Sequence, residues 1–235
     1  MMLFVFGSMF ASQNAFASNS SLKVMFSNSV GYAHQQQNDD FSQAQIAFEN
    51  KDYVYSARLL DSLAKNGHVQ AQYLLATQYD AGLGVKKDEY SSFYWYKKAA
   101  KAGIDVAQHN LAVAYAQGNG INADLSKALT WWKRAANSGN TDSQYNLGII
   151  YASGRDHIKP DIAEALKWWR MAAISGDAVA QFNLGALYAN GIGMSSRACE
   201  ASRWWKKSAE NGFAQAEMAL AVLERKSDFA ICRDI

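Results

Sequence analysis

Between residues 69 and 212 the apolar positions of the chain return in a fixed order. In Ala128–Gly139 they stand at Ala128, Trp131, Trp132, Ala135 and Ala136. These are offsets 0, 3, 4, 7 and 8, which lie on one face of an α-helix. Related segments run from Ser92 to Gly103, from Ala165 to Gly176 and from Ala201 to Gly212. Trp95, Trp131, Trp168 and Trp204 are separated by 36, 37 and 36 residues, and all seven tryptophans fall in these four copies. A period of this length predicts a solenoid of stacked helical hairpins. Lys97, Lys98, Lys133, Arg134, Arg170, Lys206 and Lys207 fall off the apolar stripe and predict a solvated outer face.

Each of these helices is preceded by another with its own frame. Ala71-Gln72 leads to Leu75 and Tyr79, Ala107-Gln108 to Leu111 and Tyr115, Ser143-Gln144 to Leu147 and Tyr151, and Ala180-Gln181 to Leu184 and Tyr188. Small residues follow each leucine: Ala76, Ala112, Gly148 and Gly185. Glycine inside a helix costs about 1 kcal/mol against alanine, so its use predicts a neighbour crossing very close. Glycines then turn the chain, at Gly82 and Gly84, Gly118 and Gly120, Gly154, and Gly191 and Gly193. These loops lack the preceding strand and following Lys-Ser/Thr of a phosphate-binding loop. Val85, Ile121, Ile158 and Met194 are read as apolar plugs of the loops, and Asp88, Asp124 and Asp161 as N-caps of the second helices. Arg197 departs from that rule, and the third loop, Arg155–Pro160, carries one extra residue.

Outside the four copies the signal changes. Residues 1–17 read as a signal peptide: an uncharged apolar run, Met1–Ala11, is followed by an A-x-A cleavage site at Ala15-Phe16-Ala17, although no basic residue precedes the run. The run is shorter than the roughly 20 residues that span a bilayer, so no stable membrane span is expected. A periplasmic or secreted location follows as an expectation. Residues 18–38 read as a flexible lead-in, and 39–67 as a short hairpin with Asp39 or Asp40 capping its first helix. The repeats are bounded at 68–103, 104–139, 140–176 and 177–212. Residues 213–235 give a capping helix and tail, with Glu217 and Glu224 as polar replacements for the repeat's Gln and Tyr.

Composition narrows the function classes. Net charge is +2 with 19% charged residues, which offers no electrostatic case for nucleic acid. Aromatics reach 13% and Pro160 is the single proline, in keeping with packed helices. His34, His68, His109 and His157 are scattered without metal-ligand spacing, and no serine sits in a nucleophile motif. No cofactor, no metal and no enzymatic activity are expected. An even count of two cysteines in an exported chain permits one disulfide.

The order Ala-x-x-x-Leu-Gly-x-x-Tyr, Gly-x-Gly, Asp, Ala-x-x-Trp-Trp/Tyr-x-x-Ala-Ala, Gly resembles the Sel1-like repeat, a longer-looped relative of the tetratricopeptide repeat. The resemblance implies an all-α, right-handed α/α superhelical solenoid of antiparallel helix pairs. It implies a scaffold or adaptor that holds a protein or peptide partner in a concave groove lined by the first helices. By similarity to tetratricopeptide repeats, that groove would be faced by Tyr73, His109, Asn110, Tyr145, Asn146, Phe182 and Asn183. The asparagine amides suit a peptide backbone. The other reading has them tying helices together. The superhelix would also bring the tail beside the fourth repeat, so that Cys199 pairs with Cys232; two free thiols are the other reading. Two further functions stay open: a structural part of an envelope machine for motility or secretion, and weak β-lactam binding or hydrolysis, a trait of cysteine-rich family members.

Overall fold

The computed structural model describes residues 35–191 and 198–225. These residues form eleven α-helices and no strand; a single bridge joins Arg155 and Ile158 in the third loop. Helices α1 (Gln35–Glu49) and α2 (Tyr53–Lys65) make the N-terminal hairpin. Helices α3 (Val69–Ala81) and α4 (Glu89–Lys101) make the first long repeat, α5 (Asp105–Gln117) and α6 (Leu125–Asn137) the second. Helices α7 (Thr141–Ser153) and α8 (Ile162–Ile174) make the third, α9 (Ala178–Asn190) and α10 (Ala198–Glu210) the fourth, and α11 (Ala214–Glu224) closes the series. Helices α2 to α10 each hold 13 residues. The all-α solenoid of antiparallel helix pairs read from the period is therefore what the chain forms.

The described residues fall into two compact units, 35–134 and 135–225, with the boundary inside α6. In each unit the main helix contacts run between neighbours in the chain: α1 through α5 in the first, α7 through α11 in the second.

The aromatic pairs supply the core. Tyr96, Trp132, Trp169 and Trp205, the second member of each pair, are buried. Trp169 Nε1 donates to the carbonyl of Tyr145 at 3.2 Å, and Trp205 Nε1 to that of Phe182 at 3.0 Å. Gly148 and Gly185 make this approach possible. A Cβ on Gly148 would fall inside the Trp169 indole, and one on Gly185 would lie 2.6 Å from Cδ1 of Trp205. The first members, Trp95, Trp131 and Trp204, are half-buried, while Trp168 is buried and donates to Glu164. Of the outer cations, Lys97 is half-buried and the others are exposed, but they are not simply solvated. Arg134 lies over Trp131 at 4.6 Å, Lys167 over Trp168 at 4.8 Å and Lys207 over Trp204 at 4.9 Å. Such cation–π contacts are worth about 0.5–1 kcal/mol at exposed sites.

The recurring glutamine joins one hairpin to the next. Gln72, Gln108, Gln144 and Gln181 each donate from Nε2 to a carbonyl eight residues back, at Ala64, Ala100, Ala136 and Ala173, over 2.9–3.2 Å. Those carbonyls belong to the last turn of the preceding helix, where intrahelical partners run out.

Asp88, Asp124 and Asp161 accept backbone N–H bonds and cap α4, α6 and α8 as expected. First helices use a more varied set: His68, Asn140 and Asp177 cap α3, α7 and α9, while Ile104 and Phe213 offer no side-chain cap. Two readings need correction. Helix α1 starts at Gln35, so Asp39 and Asp40 lie inside it; glutamine is a good helix former and extends the helix upstream. Ile121 is 40% exposed instead of plugging its loop. On α11, Glu217 and Glu224 are exposed as a cap requires, yet Met218 and Val222 are exposed beside them.

Cys199 is disulfide-bonded, and there is no free cysteine among the described residues. Its expected partner Cys232, the signal segment 1–17, Met194 and Arg197 lie outside the described residues.

Candidate interaction surface

The seven residues read as facing a groove separate by burial. In the first unit, Tyr73 is buried, its ring centroid 6.1 Å from that of Tyr96. The Tyr96 hydroxyl is buried and has no hydrogen-bond partner within the described residues. Burial, reinforced by the negative charge of Asp105, pushes the Tyr73 phenol well above its ordinary range. Burial raises Tyr96 too, so both stay neutral. His109 and Asn110 are half-buried and keep surface for a ligand.

In the second unit, Tyr145 is half-buried while Asn146, Phe182 and Asn183 are buried. Phe182 packs between Trp205, at 6.1 Å, and Phe213, at 5.2 Å. Asn183 is fully buried, and neither atom of its amide has a hydrogen-bond partner. It has no surface to offer a ligand in this conformation. Its place in the repeat explains why: α9 is enclosed on nearly every side, and residues 180 to 188 are all buried.

The exposed parts of the first helices are better described as stripes than as single residues. On α5, Val106, His109, Asn110 and Val113 are half-buried and Gln117 is exposed. These positions share one helical face. On α7, the exposed Asp142 and half-buried Tyr145 and Ala152 play that part. Val106, Val113 and Gln117 were missed by the sequence reading. The signal available was their spacing of three to four residues around His109. An imidazole, amides and short apolar side chains on one helix can accept both the backbone and the side chains of a polypeptide.

No group of His, Cys, Asp or Glu among the described residues is arranged to hold a metal. No described helix is long and apolar enough to cross a membrane.

Comparisons with known proteins place these features. The Sel1 repeat family matches four times, over residues 69–104, 105–140, 141–177 and 178–213. Among solved structures, a Sel1 repeat protein from Oxalobacter formigenes is 30% identical, with a TM-score of 0.71, over 78% of this chain and 72% of that one. The protective antigen c5321 of uropathogenic Escherichia coli strains, which displays an SLR fold, is 28% identical with a TM-score of 0.76. It aligns with 87% of this chain and 43% of its own. No curated protein matches. Sel1 repeat proteins generally mediate protein–protein interactions. The repeats occupy well over half of the sequence with matching helix boundaries, and the chain belongs to the Sel1 repeat family.

Proposed function

We propose that this protein is a non-enzymatic scaffold or adaptor of the cell envelope. It binds a peptide or protein partner along the first helices of its repeats, the side expected from the sequence to form the groove. The observation that supports this is the partly open stripe on α5, Val106 to Gln117, whereas residues 71–78 of α3 and 180–188 of α9 are buried. The envelope assignment rests on the apolar start and the Ala15-Phe16-Ala17 site.

Affinity capture from envelope extract tests the reading, with the wild-type chain and a His109→Ala/Tyr145→Ala variant as baits. The expected result is a defined partner held by wild type and lost by the variant, at unchanged melting temperature. Equal capture by both overturns the assignment to this surface. Turnover of a chromogenic β-lactam by purified protein would overturn the non-enzymatic part.

A further inference from the structure

The repeat register shows a place in the first unit where the packing is left incomplete. Ala57 of α2 is equivalent to Phe93 of α4, Leu129 of α6, Leu166 of α8 and Ser202 of α10. In the next register the Phe93 ring meets Tyr115 edge-on, with centroids 5.3 Å apart. The equivalent tyrosine here is Tyr79, and the side chain opposite it is only a methyl group. A depression of about 390 Å³ opens as a result. Its floor is Leu75 and Ala57, both buried, and Tyr79 forms a wall. Gly84 and Val85 of the first loop close one end. That loop packs closely on the start of α2: a Cβ on Gly84 would collide with the backbone of Tyr53 and Val54.

The rim is charged. Lys65 and Asp61 pair at 2.6 Å and largely neutralise each other. Arg58 makes no ion pair among the described residues; its guanidinium rests over the Tyr55 ring at 5.0 Å. The depression is thus an apolar floor beside a guanidinium that meets no carboxylate among the described residues. Val54, 70% exposed, extends the apolar surface at the mouth.

We propose that this depression is a docking site for an aromatic side chain of a partner polypeptide, with a carboxylate next to it in sequence. The aromatic ring takes the place that Phe93 fills one register later. The carboxylate meets Arg58, for which a planar guanidinium offers two parallel donors. The site lies between the N-terminal hairpin and the first long repeat and shares no residue with the stripes on α5 and α7. It adds a second point of attachment to a scaffold and stands or falls separately from them.

Three blocked dipeptides provide the probes: acetyl-Phe-Glu-amide, acetyl-Ala-Glu-amide and acetyl-Phe-Lys-amide, titrated into isotope-labelled protein and followed by amide chemical shifts. Acetyl-Phe-Glu-amide is expected to bind at millimolar concentration and to shift resonances of α2, α3 and the Gly84 loop. Loss of the ring should weaken binding about tenfold or more, the worth of one buried aromatic side chain. The lysine probe and Arg58→Glu should each weaken it several-fold. Ala57→Phe and the smaller Ala57→Leu should both abolish it with the fold intact, since each restores a side chain found at this position in other repeats. His109→Ala should leave it unchanged. No binding to wild type, equal binding of the phenylalanine and alanine probes, or undiminished binding by a folded Ala57→Leu protein would overturn the proposal.

Discussion

A methyl group at position 148 or 185 would land on an indole ring. Glycine to alanine in an exposed helix interior gains about 1 kcal/mol, whereas forcing extra volume into a packed core costs about 1–3 kcal/mol. At Gly148 and Gly185 the second term wins. Gly148→Ala is expected to lower stability in urea unfolding and to alter the near-ultraviolet dichroism of Trp169; a gain in stability would show that the indole can step aside. The need for a close crossing was legible in the sequence, because a helix tolerates glycine in its middle only for a reason. The burial of Asn183 was not. Its neighbours Phe182 and Leu184 look, in sequence, like opposite faces of a helix, one open and one packed. Only the enclosure of α9 on both sides removes that distinction.

The helices of each pair differ in how their starts are fixed. Aspartates before α4, α6 and α8 are strong caps and could be read directly. Before the first helices the residue type varies from His68 to Ile104, Asn140 and Asp177, so no single type announced a cap there. His68 gives this position a pH dependence. Its Nδ1 accepts the Ala71 N–H at 3.2 Å, and its ring stacks on Phe41 at 4.4 Å. Burial pushes the imidazole below its ordinary 6.5. The unfolded chain therefore takes up the proton first. The contribution of neutral His68 is complete above pH 6.5 and is lost as pH falls from there through the folded-state value. Replacement by Asn keeps an acceptor that does not titrate. Unfolding curves between pH 7.5 and 5 should show His68→Asn losing less stability than wild type on acidification, an effect on the order of 1 kcal/mol for one cap; identical pH profiles would exclude this role.

Across the molecule, the main contacts of each unit link elements adjacent in the chain, and the glutamine bonds always reach back eight residues. Stability in such an array is close to a sum over repeats and their junctions. Deleting residues 141–177 brings Asn140 directly before α9, in the capping place of Asp177, and Gln181 eight residues after Ala136. The shortened chain should keep its helical dichroism per residue and still melt cooperatively; collapse of the helical signal would show that repeat three holds the rest by contacts of longer range. The repeat order was the most legible property of this sequence, because the tryptophans mark the period and the period sets the fold. Surface stripes such as Val106–Gln117 were less so, since half-buried positions mix residue types and leave only a spacing.

Nine helices of one length, joined at nearly constant intervals, also bear on how such chains change over generations. An unequal crossover between two repeat-coding stretches inserts or removes one whole hairpin, and every glutamine still finds its carbonyl and every second aromatic its small residue. Gene length can thus drift in steps of about 110 nucleotides, three per residue of the 36- or 37-residue period, without unfolded intermediates. The longer c5321 chain, of which this one matches 43%, is the kind of relative such steps produce.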